Sequence, residues 1–372
     1  MSESNQIINP QPERVHSVDF FRGLTMFLLI GESTRMYRHL ANFQESGVIH
    51  SIASQFEHHV WNGLTFWDLI QPFFMTIVGV AIPFAMLARK KKGHSDRSIL
   101  LHTVKRSFVL LLLGWGLYCM GPGQIVWRFQ NVLAQLSVTY LVASLIVHKN
   151  FKFQIGFSLL ILLLIDLAYR FFSVEGFNEP WVVQKNLGAW FNQLVEGTEK
   201  TSEWATLNFV STTAHTIWGA LVGKLLLSEK SSVDKIKILC GAGVVCLIVG
   251  YGLDWLHITP IIKKIATSSF VFASGGWTLL AIAFSYWLID VRKTFAAGSL
   301  FFRIVGMNCI AIYMFFSIGG ANMLTRVVAP FTKSLLSWAG EFSVNISTSV
   351  LVWAAMWGMC YWLYKNRIYI KI

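Results

Sequence analysis

Two adjacent histidines, His58 and His59, stand just ahead of an apolar stretch, and Asn62, Asp68 and Gln71 follow in His58-His59-Val60-Trp61-Asn62-Gly63-Leu64-Thr65-Phe66-Trp67-Asp68-Leu69-Ile70-Gln71. Imidazole takes up and returns a proton near neutral pH and can carry a transferred group, so either histidine is a candidate general base or nucleophile. Asp68 and Gln71 are three residues apart, which predicts one shared helix face. A carboxylate at the start of an apolar span is costly unless it is paired or faces water. Asp68 therefore calls for a polar cavity, in which it would orient or charge-balance the histidine, or for a buried cation such as Arg22. Asn62 and Gln71 carry amides able to donate hydrogen bonds to a polarised carbonyl or to an acceptor group.

Other polar residues interrupt apolar runs. Asp19 and Arg22 are one helical turn apart in Ser17-Val18-Asp19-Phe20-Phe21-Arg22-Gly23 and predict a structural ion pair. Glu32 falls near the far end of the same run, on the side of the histidines, where it could serve as a second acid or base. Asn208, Thr212, Thr213 and His215 form a polar stripe; hydroxyls in such a helix often bond back to their own carbonyls. His215 has no such partner within its turn and suits either a helix-to-helix hydrogen bond or a cavity wall. Asn308, in Gly306-Met307-Asn308, is open between a helix contact and a ligand contact. The five cysteines are scattered without paired spacing, so no metal is expected, and neither a phosphate-binding loop, a G-x-S-x-G elbow nor an H-E-x-x-H helix occurs.

These residues need helices to position them. The 372 residues are 54 % hydrophobic and 13 % charged, with a mean hydropathy of +0.53, which predicts a multispanning membrane protein. Apolar runs predict about ten transmembrane helices, near 18–37, 64–88, 101–119, 131–148, 153–172, 206–227, 236–253, 268–289, 300–320 and 346–364. The expected fold is all-α: a polytopic helical bundle in a lipid bilayer, with a tail over 1–16 and a single transmembrane domain over 17–372. The net charge of +12 sits in short clusters between apolar runs, the pattern that orients helices rather than one that binds nucleic acid. Basic connections at Arg89 to Lys92, His148 to Lys152, Lys230 to Lys237, Arg292-Lys293 and Lys365 to Lys371 place both termini in the cytoplasm and the loops 38–63, 173–205 and 321–345 on the opposite face. His58 then lies on the outer side.

The chain resembles the bacterial relatives of heparan-α-glucosaminide N-acetyltransferase. The resemblance rests on Arg14-Val15-His16-Ser17-Val18-Asp19-Phe20-Phe21-Arg22-Gly23, on the histidine segment through Gly79, and on Val132 to Tyr140, Ala214-His215-Thr216-Ile217-Trp218-Gly219, Tyr286 to Val291 and Gly306-Met307-Asn308. It implies a bacterial inner (plasma) membrane enzyme, a transmembrane acyltransferase that passes acetyl from cytosolic acetyl-CoA to a glucosamine-type amino sugar on the periplasmic or extracellular side. The family's active histidine stands three residues before the tryptophan of its W-N-G-L-T stretch, which maps onto His58 rather than His59. The asparagine that animal members carry near the outer end of the first span maps onto Ser33. The resemblance also implies a homodimer. The nucleotide end of acetyl-CoA should stay at the basic face, where Lys90, Lys91, Arg97, Lys105 and Arg106 form a phosphate-attracting set that is equally a topology signal.

The leading expectation is thus an acetyltransferase with His58 as base or nucleophile. A sugar or metabolite transporter, proton-coupled through Glu32, Asp68 and His215, is the alternative, and a membrane scaffold or sensor a third.

Overall fold

A computed structural model describes residues 15–43, 47–198 and 202–370. Most of the expected tail over 1–16 lies outside the described residues. Fifteen α-helices follow one another among those residues: α1 (His16–Ser33), α2 (Met36–Ala41), α3 (Val48–Ser54), α4 (Ile70–Lys91), α5 (Asp96–Met120), α6 (Val132–Ile146), α7 (Phe151–Arg170), α8 (Leu187–Glu196), α9 (Asn208–Leu227), α10 (Ser232–Trp255), α11 (Ser268–Tyr286), α12 (Ala296–Met307), α13 (Cys309–Ser317), α14 (Gly320–Leu336) and α15 (Gly340–Lys365). No strand occurs among the described residues, only an isolated antiparallel bridge between Asn62 and Ile262. The protein is an all-α membrane helical bundle.

Helix starts follow local chemistry. Ser95, Asn131, Asn150, Asn186, Ser231 and Thr267 each accept a hydrogen bond from a first-turn amide with their side chains, supplying a partner that the helix itself cannot. The cap of α1 comes from far along the chain: Asp290 Oδ1 and Oδ2 accept from His16 N at 2.9 Å and Ser17 N at 3.0 Å. A carboxylate there also suits the positive end of the helix dipole.

Six helical stretches are long and apolar enough to cross a bilayer, or seven if α12 and α13, bent by 63° at Asn308, make one broken span. The other expected spans are helices of a different kind. α6 has 15 residues. α1 carries Asp19, Arg22 and Glu32, half-buried or exposed, and α9 carries the buried Asn208 to His215 stripe, so both trade hydropathy for polar groups. The expected outer loop 321–345 is instead mostly α14 and the start of α15. Its apolar residues Met323, Val327, Phe331 and Leu335 recur at helical spacing around Arg326 and Lys333, a pattern of low overall hydropathy that a search for continuous apolar runs passes over. On α7 and α10 the exposed side chains are Leu159, Leu160, Leu163 and Leu164, and Val244, Val245 and Ile248, an apolar surface that suits lipid.

α4 and α9 form the central pair. Gly79 faces the backbone of Thr216, and Gly219 faces the backbone of Thr76, so closely that a Cβ at either position would overlap a carbonyl. Small residues bring membrane helices into this contact because dispersion, not water exclusion, holds them together. That pairing fixes α4, which is entered through the short turn that carries the candidate acid Asp68.

Candidate active site

The chain approaches α4 through a loop and one short 3-10 turn, Phe66–Leu69. Thr65 is extended just before it, and its backbone N–H donates to Asp68 Oδ2 at 3.0 Å. His59 N donates to the same oxygen at 3.3 Å. The other oxygen, Oδ1, lies 2.9 Å from His58 Nδ1. The histidine loop is therefore folded back over the carboxylate it precedes. Gly63 makes the fold-back possible: it has φ 139°, and an added Cβ would strike the ring of His59. That ring packs over Gly63, so of the two histidines only His58 presents its side chain to Asp68.

The buried cation beside Asp68 is Lys263, not Arg22. Gly63 N donates to Ile261 O at 2.8 Å and Asn62 pairs with Ile262, which carries the next residue into the site. Lys263 Nζ lies 3.1 Å from His58 Nδ1, 3.4 Å from Asp68 Oδ1 and 3.5 Å from the Trp67 carbonyl oxygen. It also stands 5.4 Å from the centroid of the Trp204 ring, against which His58 packs edge to face at 5.3 Å. Burial pulls the Lys263 ammonium down to about 8, with Asp68 opposing that fall. Lys263 is not singled out by the sequence, where Lys263 and Lys264 stand side by side in one short loop; the structure separates them, with Lys264 paired to Glu203.

Side-chain exposure is 1 % for Asp68, 7 % for Lys263 and 39 % for His58. Both polar contacts of the imidazole use Nδ1. A neutral ring that donates Nδ1–H to the carboxylate keeps its lone pair on Nε2. This arrangement can accept a proton or attack an electrophilic carbonyl.

Glu32 reaches the site through an indole: Trp67 Nε1 donates to Glu32 Oε1 at 3.0 Å. Glu32 and Ser33 line a cavity of about 380 Å³ together with Tyr118, Asn131 and Tyr313. Ser33 Oγ itself donates to Ile30 O at 2.7 Å. A second cavity, of about 230 Å³, is lined by Arg22, Arg106, Phe74, Cys309 and again Tyr313. Its walls are mainly apolar side chains. Arg106 lies 4.7 Å over the Tyr140 ring, and its Nε is buried without a hydrogen-bond partner among the described residues. Arg22 Nη1 stands 3.6 Å from Asp19 Oδ1.

The remaining candidates lie elsewhere. Gln71 donates to Gln135 of α6, and the hydrogen bonds of Asp68 go instead to His58, His59 and Thr65. Asn62 is exposed and contributes its backbone to the bridge. His215 is fully buried, with Nε2 3.0 Å from Ser274 Oγ and 3.1 Å from Val271 O on α11. Thr212 and Thr213 donate back to Asn208 O and Phe209 O, and Asn208 donates to Lys264 O at 2.9 Å. Asn308 holds the chain end, donating to Ile368 O at 3.0 Å and accepting from Ile370 N at 2.9 Å. Lys90 pairs with Asp96 at 3.2 Å on the surface, and Lys91, Arg97 and Lys105 are exposed. No group of three His, Cys, Asp or Glu side chains suited to a metal exists among the described residues.

Residues 14–182 match a family profile described as a domain of unknown function (DUF5009). Over 142 residues the chain is 32 % identical to heparan-alpha-glucosaminide N-acetyltransferase of Homo sapiens, a match covering 36 % of this chain and 19 % of that protein. The Mus musculus protein of the same name is 33 % identical over 140 residues, with the same coverage of 36 % and 19 %. The chain is a distant relative of these N-acetyltransferases over a stretch that amounts to about a fifth of their length. The profile match contains His58 and Asp68 and stops short of Lys263.

Proposed function

We propose that the protein is a membrane acetyltransferase that takes acetyl from acetyl-CoA at the basic, cytoplasmic face and delivers it to an amino sugar on the other side. The observation that carries this reading is the Nδ1 contact of His58 with Asp68, which leaves Nε2 available for acyl transfer. Two cavities that share Tyr313 support it. The one with Arg22 and Arg106 offers guanidinium groups to a phosphorylated donor and apolar walls to a slim pantetheine arm. The one with Glu32 and Ser33 comes within one indole, that of Trp67, of the histidine cluster.

His58 has two ways to act. As nucleophile, Nε2 attacks the thioester carbonyl, the carbon–sulfur bond breaks, and the thiolate leaves to be protonated. The acceptor amine then attacks the acetyl carbon, the bond to Nε2 breaks, and the imidazole takes the amine proton. As general base, His58 removes that proton while the amine attacks the thioester directly, the carbon–sulfur bond breaks, and the CoA thiolate leaves to take the proton. Asp68 holds the ring in the required tautomer in both cases.

The test is release of CoA by the purified protein in nanodiscs, supplied with acetyl-CoA and a panel of amino sugars, beside a folded His58→Ala variant. Acceptor-dependent release that disappears in the variant supports the reading. Absence of both acetyl-CoA binding and release in the wild type overturns it in favour of transport.

A further inference from the structure

Lys263 has no part in the reaction just described, yet it is the most deeply placed cation in contact with the histidine. A carboxylate next to an imidazole attracts a second proton to the ring, because the imidazolium–carboxylate pair is electrostatically favoured. A protonated ring has no lone pair and can neither attack nor accept. The His58–Asp68 contact alone would thus work against the chemistry proposed for it near neutral pH.

We infer that Lys263 is a positioning residue that offsets the Asp68 charge and so keeps the His58 imidazole uncharged and ready. Its ammonium at 3.1 Å from Nδ1 repels a second ring proton, while its contact at 3.4 Å with Oδ1 neutralises the carboxylate that would recruit one. Asp68 keeps its role in orienting the ring, since Oδ1 still lies 2.9 Å from Nδ1. The groups that face the imidazole are Asp68 from the 3-10 turn, Lys263 from the loop ahead of α11, the Trp204 ring from the loop ahead of α9, and, one indole away, Glu32 of α1. Glu32 adds negative charge and makes a compensating cation more necessary. Lys264 is turned to Glu203 and Arg22 is held by Asp19, so neither takes that part. With its ammonium pulled down only to about 8, Lys263 is still charged at neutral pH. The bridge between Asn62 and Ile262 is what delivers it.

The inference deepens the acetyltransferase reading and rests on it for its purpose, but its test needs no substrate. Diethyl pyrocarbonate transfers an acyl group to uncharged imidazole nitrogen, and mass spectrometry of the His58 peptide reports the rate as a function of pH. In full-length protein in nanodiscs, Lys263→Met should move the midpoint of His58 modification up by roughly one pH unit. Lys263→Arg should leave it near the wild-type value, and Lys264→Met should not move it. Should Lys263→Met fail to fold, Asp68→Asn gives the opposite arm: removing the anion leaves the ammonium facing the ring, and the midpoint should fall. An unchanged midpoint in a folded Lys263→Met protein, an equal shift in Lys264→Met, or a midpoint that does not fall in Asp68→Asn overturns the inference. A shifted midpoint in a protein that never releases CoA would keep the charge assignment and discard the acetyltransferase reading; CoA release with an unmoved midpoint would do the reverse.

Discussion

Asn62 and Ile262, 200 positions apart by their residue numbers, form the antiparallel bridge through which the histidine loop and the loop ahead of α11 hold each other. Beside it Gly63 N donates to Ile261 O at 2.8 Å. The contact acts through backbone atoms, and its product is a cluster of His58, Asp68 and Lys263 drawn from two distant parts of the chain. The first expected consequence concerns His58 and Asp68 themselves. His58→Gln should lower acyl transfer by at least about a hundredfold while leaving acetyl-CoA binding intact, the scale on which positioned proton transfer or nucleophilic attack contributes. Single-turnover rates measured beside equilibrium donor binding would check this, and an unimpaired rate would remove His58 from the mechanism.

Asp68 is also structural, since it closes the 3-10 turn and neutralises Lys263. Asp68→Ala should destabilise the protein by about 3 kcal/mol or more, because it leaves a buried ammonium without its anion. The loss should shrink in the double variant Asp68→Ala/Lys263→Met, which removes both charges. Thermal unfolding in one detergent gives the comparison, and additive losses would mean that the two side chains do not interact.

Much of this was legible in the sequence, for reasons that differ by element. The helices α4, α5, α7, α10 and α11 announce themselves as apolar runs, and His58, Asp68 and Glu32 stand out as ionisable groups where such runs begin or end. α14 did not, because its charged residues lower its hydropathy. Lys263 did not, because nothing in its local sequence separates it from Lys264, and only the backbone pairing at Ile262 shows which of the two enters the site. The spacing of Asp68 and Gln71 does not say which partner each finds: Asp68 turns to His58 and Gln71 to Gln135 of α6, and those choices depend on packing between distant segments. In the sequence His215 is open between a helix-to-helix hydrogen bond and a cavity wall, and its Nε2 makes the former with Val271 and Ser274 of α11.

Gly63 bears no reactive group, yet it should be as sensitive as the acid. Gly63→Ala forces a side chain into a φ of 139° and against the His59 ring, which costs on the order of 1–3 kcal/mol in local strain. Activity should fall with the loop's order while the transmembrane helices persist. Hydrogen exchange at residues 57–65, with circular dichroism as the control, would reveal it, and unchanged exchange would show that the loop accommodates a Cβ.

The basic residues should separate sharply. Arg106 lines the 230 Å³ cavity with a buried, unpartnered Nε, whereas Lys90 and Lys91 lie on the surface. Arg106→Met should weaken acetyl-CoA binding by about tenfold, the scale of one charge-assisted contact, and Lys90→Met or Lys91→Met should change it little. Binding of radiolabelled acetyl-CoA would decide, and equal weakening by all three would mean that the face acts only through its overall charge.

Glu32 provides the means to identify the acceptor. It is an exposed carboxylate lining the 380 Å³ cavity, with Oε1 engaged by Trp67, and its neighbours Ser33 and Tyr118 bring hydroxyls of the kind that bind sugars. A protonated amine entering that cavity would meet Glu32 as its counter-ion, whereas an uncharged hydroxyl acceptor would not need one. Glu32→Gln keeps the oxygen that accepts from Trp67 and removes only the charge. It should therefore raise KM by about tenfold for cationic amino sugars, the value of one hydrogen bond to a charged group, and leave KM for neutral acceptors nearly unchanged. Steady-state kinetics with paired acceptors that differ only in amine against hydroxyl make the measurement. Parallel losses for both would show that Glu32 serves the histidine cluster through Trp67 and does not select the acceptor.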